Sequence, residues 1–263
     1  MRERLILSQQ RMSLFMSEHF VYGLHAVTAL LANPHRKTFK LFLSENRQDT
    51  RLLAIVEKAK TASIPITLLS VAEMQQRFAD SAHQGIVASA SKLPEYQEAH
   101  LPALLEAAKK PGLVLILDNL TDPHNLGACL RSADAAAVDF VIIPKDKSAS
   151  ITPVVSKVAS GAAESVPLVR VTNLARAMEI LKEQGVWIYG AAAEAETLIY
   201  QLPCTDTIAL VMGAEGSGLR RLTRERCDGL FALPMLGTVS SLNVSVATGV
   251  ALYEVIRQRS SKL

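Results

Sequence analysis

Asn125, Arg131, Glu215, Ser241 and Asn243 are polar residues set among small and apolar neighbours. They fall in three stretches of the second half of the chain: TDPHNLGACLRSADAAAV (121–138), LVMGAEGSGL (210–219) and LPMLGTVSSLNVSVATGVALYE (233–254). Together they supply amides, a guanidinium, a carboxylate and a hydroxyl, but no activated nucleophile. His124 has no G-x-S-x-G elbow beside it, and Glu215 has no second carboxylate to make a glycosidase pair. The planar donor fork of Arg131 suits a phosphate or a carboxylate, and burying it unpaired among Leu126 to Leu130 would be costly. In the absence of a ligand, an ion pair with Asp134 or Asp118 is the alternative. Glu215 either accepts backbone N–H groups and pins its loop or meets a ligand hydroxyl. One of Ser240, Ser241, Asn243 and Ser245 suffices to cap a helix; the others are free to line a site at its N-terminus, where anions are favoured.

The glycines of the second stretch, Gly213, Gly216 and Gly218, do not make a phosphate loop, because Leu219 and Arg220 stand where Lys-Ser/Thr is needed. No GxGxxG follows a strand. The loop reads as a tight turn, or as open backbone that holds an adenine or a sugar. The next segment, GLRRLTRER, packs Arg220, Arg221, Arg224 and Arg226 together, either as a solvated helix face or as a basic patch beside the site.

All of these residues sit where apolar runs give way to helical patterns. PGLVLILD, FVIIPKD, VWIYGAAA, IALVMGAEG and LFALPM read as strands, and their unbroken apolar character predicts a mostly parallel sheet covered on both faces. NLGACLRSADAAAV, LARAMEILKEQG and SLNVSVATGVALYEVIRQRS read as helices, the second ended by Gly185. ITPVVSKVASGAAESVPLVRV reads as a helix followed by a strand. Ligands bind at carboxyl ends of strands in such sheets, so three polar junctions predict one composite pocket. Upstream, helical and strand patterns alternate through GLHAVTALLAN, TFKLFLS, DTRLLAIVEKAKTAS, IPITLLS, VAEMQQRFAD and GIVASAS. The expected organisation is a disordered extension (1–15), a small α/β domain (16–90), a proline-bearing linker (91–103) and the α/β domain with the three stretches (104–263).

With 49% hydrophobic and 20% charged residues the chain can build a real core. No apolar run reaches the ~18 residues of a membrane span, and the opening residues make a poor signal peptide. Cys129, Cys204 and Cys227 are widely spaced without CxxC, which points to a reducing, cytoplasmic setting. The six histidines lack ligand spacing, so no metal is expected. The formal net charge of +3 permits a nucleic-acid partner without requiring one. Arg36, Lys37 and Lys40 place basic groups around the first helix–strand junction of the front domain.

Taken together, the three stretches resemble the SpoU/TrmH group of SPOUT RNA ribose 2′-O-methyltransferases. The motifs are N-x-G-A-x-x-R (Asn125 to Arg131), V-M-G-A-E-G (Val211 to Gly216) and P-M-x-G-x-x-S-S-L-N-V-S-V-A (Pro234 to Ala247). YGLHAVTALL and HQGIVA in turn resemble the group's substrate-binding domain, and the likeness runs from about Met16 to the C-terminus. DPHNLGACLRSADAA and TVSSLNVSVATG are most similar to the bacterial branch acting on a guanosine of 23S rRNA, in the peptidyl-transferase region. The resemblance implies a SPOUT domain with a deep trefoil knot, preceded by a ribosomal-protein-like RNA-binding domain. It also implies S-adenosyl-L-methionine as cofactor, 23S rRNA as substrate and a homodimer. The cofactor residues would be Gly190, Ala191, Ala192, Met212, Gly213, Gly216, Leu233, Met235 and Leu242. The catalytic and substrate residues would be Arg131, Asn125, Glu215, Ser241 and Asn243. A guanidinium with a pKa above ~12 is a poor base. Arg131 is therefore read as the group that grips the adjacent phosphate and orients the 2′-OH, with a deprotonated arginine as the alternative. Rival readings are a tRNA ribose methyltransferase and a non-catalytic rRNA-binding assembly factor.

Overall fold

The computed structural model describes residues 18–45, 50–78, 83–214, 216 and 218–260, which form two compact units meeting at Pro94 and Glu95. The expected extension at 1–15 and the side chain of Glu215 lie outside the described residues.

The first unit holds β1 (His19–Tyr22), α1 (Leu24–Ala32), β2 (Thr38–Ser44), α2 (Thr50–Thr61), β3 (Ile66–Leu69), α3 (Val71–Arg77) and β4 (Ile86–Ala90). Its sheet has the order β1-β4-β2-β3, with β4 antiparallel to both neighbours and β2 parallel to β3. β1 is absent from the sequence reading: four residues at a sheet edge are too few to show a period. Val27, Leu30, Leu41, Ile55, Ala59 and Ile86 form the core under α1 and α2. Arg36 is buried and the Lys40 ammonium lies 5.4 Å from the centre of the Phe42 ring, so these two cations are largely committed inside the unit.

The second unit begins inside the stretch read as linker. Glu98–His100 is a 3₁₀ turn running into α4 (Leu101–Ala107), and Leu101 is fully buried. The two prolines of 91–103 concealed this, because Pro102 sits at the start of a helix, where its missing N–H costs nothing. Then follow β5 (Leu113–Asp118), α5 (Pro123–Ala135), β6 (Phe140–Pro144), α6 (Pro153–Val158), α7 (Ala162–Ser165), β7 (Leu168–Val171) and α8 (Leu174–Glu183). β8 (Trp187–Ala191), β9 (Ile208–Gly213), α9 (Arg221–Arg226), β10 (Gly229–Phe231) and α10 (Val244–Ser260) complete the unit. Helix α8 ends as its sequence predicts: Gly185 has φ +79°, and Val186 and Gly185 donate to the carbonyls of Leu181 and Lys182.

The six strands are ordered β10-β8-β9-β5-β6-β7, and every pairing is parallel. Alternate strand residues serve two cores. Leu115, Leu117, Val141, Leu210 and Met212 pack beneath α5 and α10. Val114, Ile116, Ile142, Val169 and Val211 pack beneath α4 and α8. The connection leaving β5 therefore covers one face (α5) and the one leaving β9, its neighbour, is followed by α9. This is a topological switch point, where a crevice opens outside the strand ends.

The far end of α10 is held by one side chain. Arg259 donates to the carbonyls of Cys204, Pro111, Gly112 and Asp206 at 2.8–3.0 Å. Arg259→Ala removes the donor from the part-buried Cys204 carbonyl and the exposed Pro111 and Asp206 carbonyls, while the Gly112 carbonyl keeps the Ile208 N–H, and is expected to lower unfolding free energy by about 1–3 kcal/mol. Urea unfolding followed by tryptophan fluorescence measures this; a midpoint equal to the parent's would refute the clamp.

Candidate active site

Helix α5 starts with Asp122 as N-cap, whose carboxylate accepts from the His124 N–H at 3.0 Å, and with Pro123 in its first turn. This start sets Asn125 facing inward, where it is buried. Its Oδ1 accepts from Nδ2 of Asn243 at 2.9 Å. The Oδ1 of Asn243 accepts from the backbone N–H of Ser245 at 2.9 Å and from its hydroxyl at 2.6 Å. One asparagine thus caps α10 with its acceptor and ties the first and third sequence stretches together with its donor. Further along, Cys129 and Thr248 meet at 3.6 Å, and Gly249 faces Ser132.

Arg131 is exposed on α5 and, among the described residues, has no hydrogen-bond or ion-pair partner. The two carboxylates that the alternative reading would pair with it are engaged elsewhere. Asp134 accepts from the Ser165 hydroxyl. Asp118, fully buried at the end of β5, accepts from the backbone N–H of Arg220 at 3.0 Å and from its guanidinium at 2.6 Å. That pair holds the start of α9 against the strand end, directly after the glycine loop. The remaining arginines of the cluster are paired as well: Arg221 with Glu225 at 2.7 Å, Arg226 with Glu179 at 2.6 Å, and Arg224 with Glu194. The segment that looks most basic in sequence is largely neutralised, while Arg131 is left unpaired among the described residues.

The other expected residues gather at the strand ends. Gly190 and Ala191 end β8, and the Ala192 N–H donates to the Phe231 carbonyl at 2.9 Å. Met212 and Gly213 end β9. Gly213 is a close-approach residue: a Cβ there would lie 2.3 Å from the Gly218 carbonyl carbon and 2.6 Å from the Leu219 nitrogen. The turn closes through the Gly218 N–H and the Ala214 carbonyl at 2.9 Å, with Gly216 at φ +78°. Leu233 and Met235, after β10, are half-buried, and Leu242 is 38% exposed. Ser241 is exposed just ahead of α10. Strands β10, β8 and β9 are consecutive in the sheet, so backbone polar groups and partly open apolar side chains share one edge of the crevice. A ligand with a flat aromatic part and a polar tail suits this lining. Asp118 and Arg220 are the site-building residues that sequence reasoning misassigned; the strand-end position of Asp118 was the available signal.

Burial pushes the thiols of Cys129 and Cys204 up to about 11 and that of Cys227 up to about 12, so none is a nucleophile near neutral pH. Among the described residues no group of three or more His, Cys, Asp or Glu is placed to hold a metal, and no helix is long and apolar enough to cross a membrane. Helix α10 buries Val244, Ala251, Leu252 and Val255 against the core, while Val246, Val250 and Tyr253 stay exposed in a stripe at i, i+4, i+7.

Comparison with known proteins places this geometry among methyltransferases. Residues 112–253 match the SpoU rRNA Methylase family, and residues 20–96 match the RNA 2′-O ribose methyltransferase substrate binding family. The chain is 53% identical over 247 residues to the 23S rRNA (guanosine-2′-O-)-methyltransferase RlmB of Yersinia pestis, covering 94% of this chain and 100% of that one. It is 52% identical to the protein of the same name from Coxiella burnetii, covering 92% of this chain and 96% of that one. The SpoU methyltransferase AviRb of Streptomyces viridochromogenes, in complex with AdoMet, shares the fold with a TM-score of 0.77 at 22% identity, over 94% of this chain and 93% of that one.

Proposed function

The chain belongs to the SpoU rRNA methylase family, and on that basis we propose that it transfers the methyl group of S-adenosylmethionine to the ribose 2′-OH of a guanosine in 23S rRNA. The observation that carries the substrate assignment is the 53% identity across the whole length of a relative with that named activity. The site's chemistry agrees with it: a crevice with an apolar and backbone-polar edge, a cross-linked asparagine pair, and an open arginine.

Gly190, Ala191, Ala192, Met212, Gly213, Gly216, Leu233, Met235 and Leu242 would hold the cofactor, whose sulfonium supplies an electrophilic methyl group. Their lining fits such a molecule, since half-buried Leu233 and Met235 with Leu242 offer apolar contact and the turn after β9 offers backbone polar groups. Arg131, with its fork uncommitted, grips the phosphate beside the target ribose and orients the 2′-oxygen; the hydroxyl proton leaves to that phosphate or to water. Asn125 and Asn243 keep α5 and α10 in register around the acceptor, and Ser241 lies on the approach to it. Orientation of this kind can supply ~7–11 kcal/mol of the barrier reduction. The role of Glu215 and the trefoil knot come from the family resemblance, and a cytoplasmic location from the cysteine usage.

Transfer of labelled methyl from S-adenosylmethionine to 23S rRNA fragments and to tRNA tests the assignment. Label is expected on the 2′-oxygen of a 23S guanosine. Label on tRNA would turn the reading to the tRNA-modifying branch, and no transfer to either would turn it to an assembly factor.

The reading also includes a symmetric homodimer built on α10 and α5. The exposed stripe Val246, Val250 and Tyr253 is one apolar face too many for a helix already packed on its own core. An obligate interface there would bury more than ~2,000 Å² in total. Tyr253→Glu is expected to give an inactive monomer or aggregate; a well-folded, fully active monomer by light scattering would remove the dimer from the mechanism.

A further inference from the structure

We propose that a second site, a cavity of about 400 Å³ at the outer edge of the second unit's sheet, binds a phosphate of the RNA substrate. It lies where the 3₁₀ turn before α4, the ends of β6 and β7, and helix α8 converge. Its cations are Lys145, Arg170 and Arg176, joined by the polar groups of Gln97, Thr172 and Gln184. These residues are scattered over some ninety positions, and no sequence motif marks them.

The charge pattern singles this cavity out. The arginines of the dense 220–226 cluster each have a carboxylate partner. Among the described residues, Lys145, Arg170 and Arg176 have none. Arg170 donates one N–H to the Lys145 carbonyl at 3.0 Å, while its Nε is shielded from solvent without any acceptor. Arg170 is half-buried and lines the cavity with the exposed Lys145 and Arg176, so three cations without carboxylate partners converge there, an arrangement that an anion stabilises. The cavity also has two carboxylates. Glu98 accepts from the Asn173 backbone N–H at 3.0 Å and caps that turn; Glu183 stands at the end of α8. With three cations against these two, the balance favours a single diffuse anion such as a phosphodiester over a highly charged polyphosphate. β7 lies two strands from β5, roughly 10 Å across the sheet at the usual strand spacing. A polymer engaged at the crevice reaches that far, whereas a free mononucleotide does not. The site rests on the RNA methyltransferase reading for the identity of the polymer, and on the cavity alone for the phosphate.

The test is binding of a 23S rRNA fragment to the full chain across a salt series, comparing the parent with Lys145→Gln/Arg176→Gln. Both side chains are exposed, so the variant should fold, and a thermal melt checks this. Affinity is expected to fall about 10-fold, with the slope of log affinity against log salt reduced by about 1–2. S-adenosylmethionine affinity and the methylation rate at saturating RNA should stay at parental values. Lys147→Gln removes a nearby exposed cation that does not line the cavity and should cost much less. Unchanged affinity and slope overturn the site, and so does an equal loss from Lys147→Gln, which would mean a diffuse field. Inorganic phosphate titrated by calorimetry separates the sources of the ligand. Phosphate binding lost in the double variant while RNA affinity holds would reassign the cavity to a free phosphate compound. A parent that binds RNA in a Lys145- and Arg176-dependent way but transfers no methyl group would sink the activity and leave the site standing.

Discussion

Arg131→Ala abolishes methyl transfer and leaves S-adenosylmethionine affinity at the parental value: this is the expected result with the most riding on it. Arg131 is exposed on α5, its candidate carboxylates Asp118 and Asp134 are taken, and no described residue holds its fork. Removing it therefore breaks no internal pair, and the fold should be intact. What is lost is the grip on the phosphate that orients the 2′-oxygen. Losing a charge-assisted contact of this kind costs about 3–4 kcal/mol or more at the transition state, a rate loss on the order of 10²–10³. Arg131→Lys should fail nearly as badly, because a point charge does not replace a bidentate fork. Single-turnover methylation combined with calorimetry of cofactor binding reads both halves. Lost cofactor affinity in a folded Arg131→Ala protein would move this residue to the other side of the site.

Gly213→Val should show the opposite pattern, with no cofactor binding and hence no activity. The sequence suggests both a close backbone approach and a positive φ at Gly213; the torsion is not in the left-handed region, and the close approach is present. The constraint is space: a Cβ would sit 2.3 Å from the Gly218 carbonyl carbon and 2.4 Å from its oxygen. Both are backbone atoms of the turn that closes the strand end, so no rotamer change relieves the overlap. The turn must shift, and with it the backbone groups aimed into the crevice. Even Gly213→Ala should weaken cofactor binding by ~100-fold, equivalent to about 2.7 kcal/mol. Because Gly216 and Gly218 are exposed, the strain stays local and the melting temperature should drop little. Calorimetric affinity equal to the parent's would place the cofactor pocket elsewhere.

Much of this molecule is legible in one dimension, for identifiable reasons. Unbroken apolar runs such as LVLILD and FVIIP are strands buried on both faces, and they are parallel as expected. Helix α8 stops where Gly185 can turn the chain. The three polar stretches fall at strand and helix ends because a residue's place in an element depends on its near neighbours. The elements missed were short ones, β1, α4 and α7, where four to seven residues carry too little periodicity to stand out.

The sequence by itself determined the longer elements, the parallel architecture of the second unit and the set of residues at its strand ends, since hydrophobic period and turn chemistry act within a few residues. Only the tertiary structure decided which of those residues meet. Asp118 could have paired with Arg131, thirteen positions away, yet it pairs with Arg220, 102 positions away, because β9 is the strand that lies beside β5. Asn125 finds Asn243 across 118 positions because α10 returns to pack on α5. The arginine-rich run proved neutralised, while Arg131, Lys145, Arg170 and Arg176 were left without carboxylates. Partner choice for a charge follows from distance and desolvation in three dimensions, and neither quantity exists until the sheet order is set.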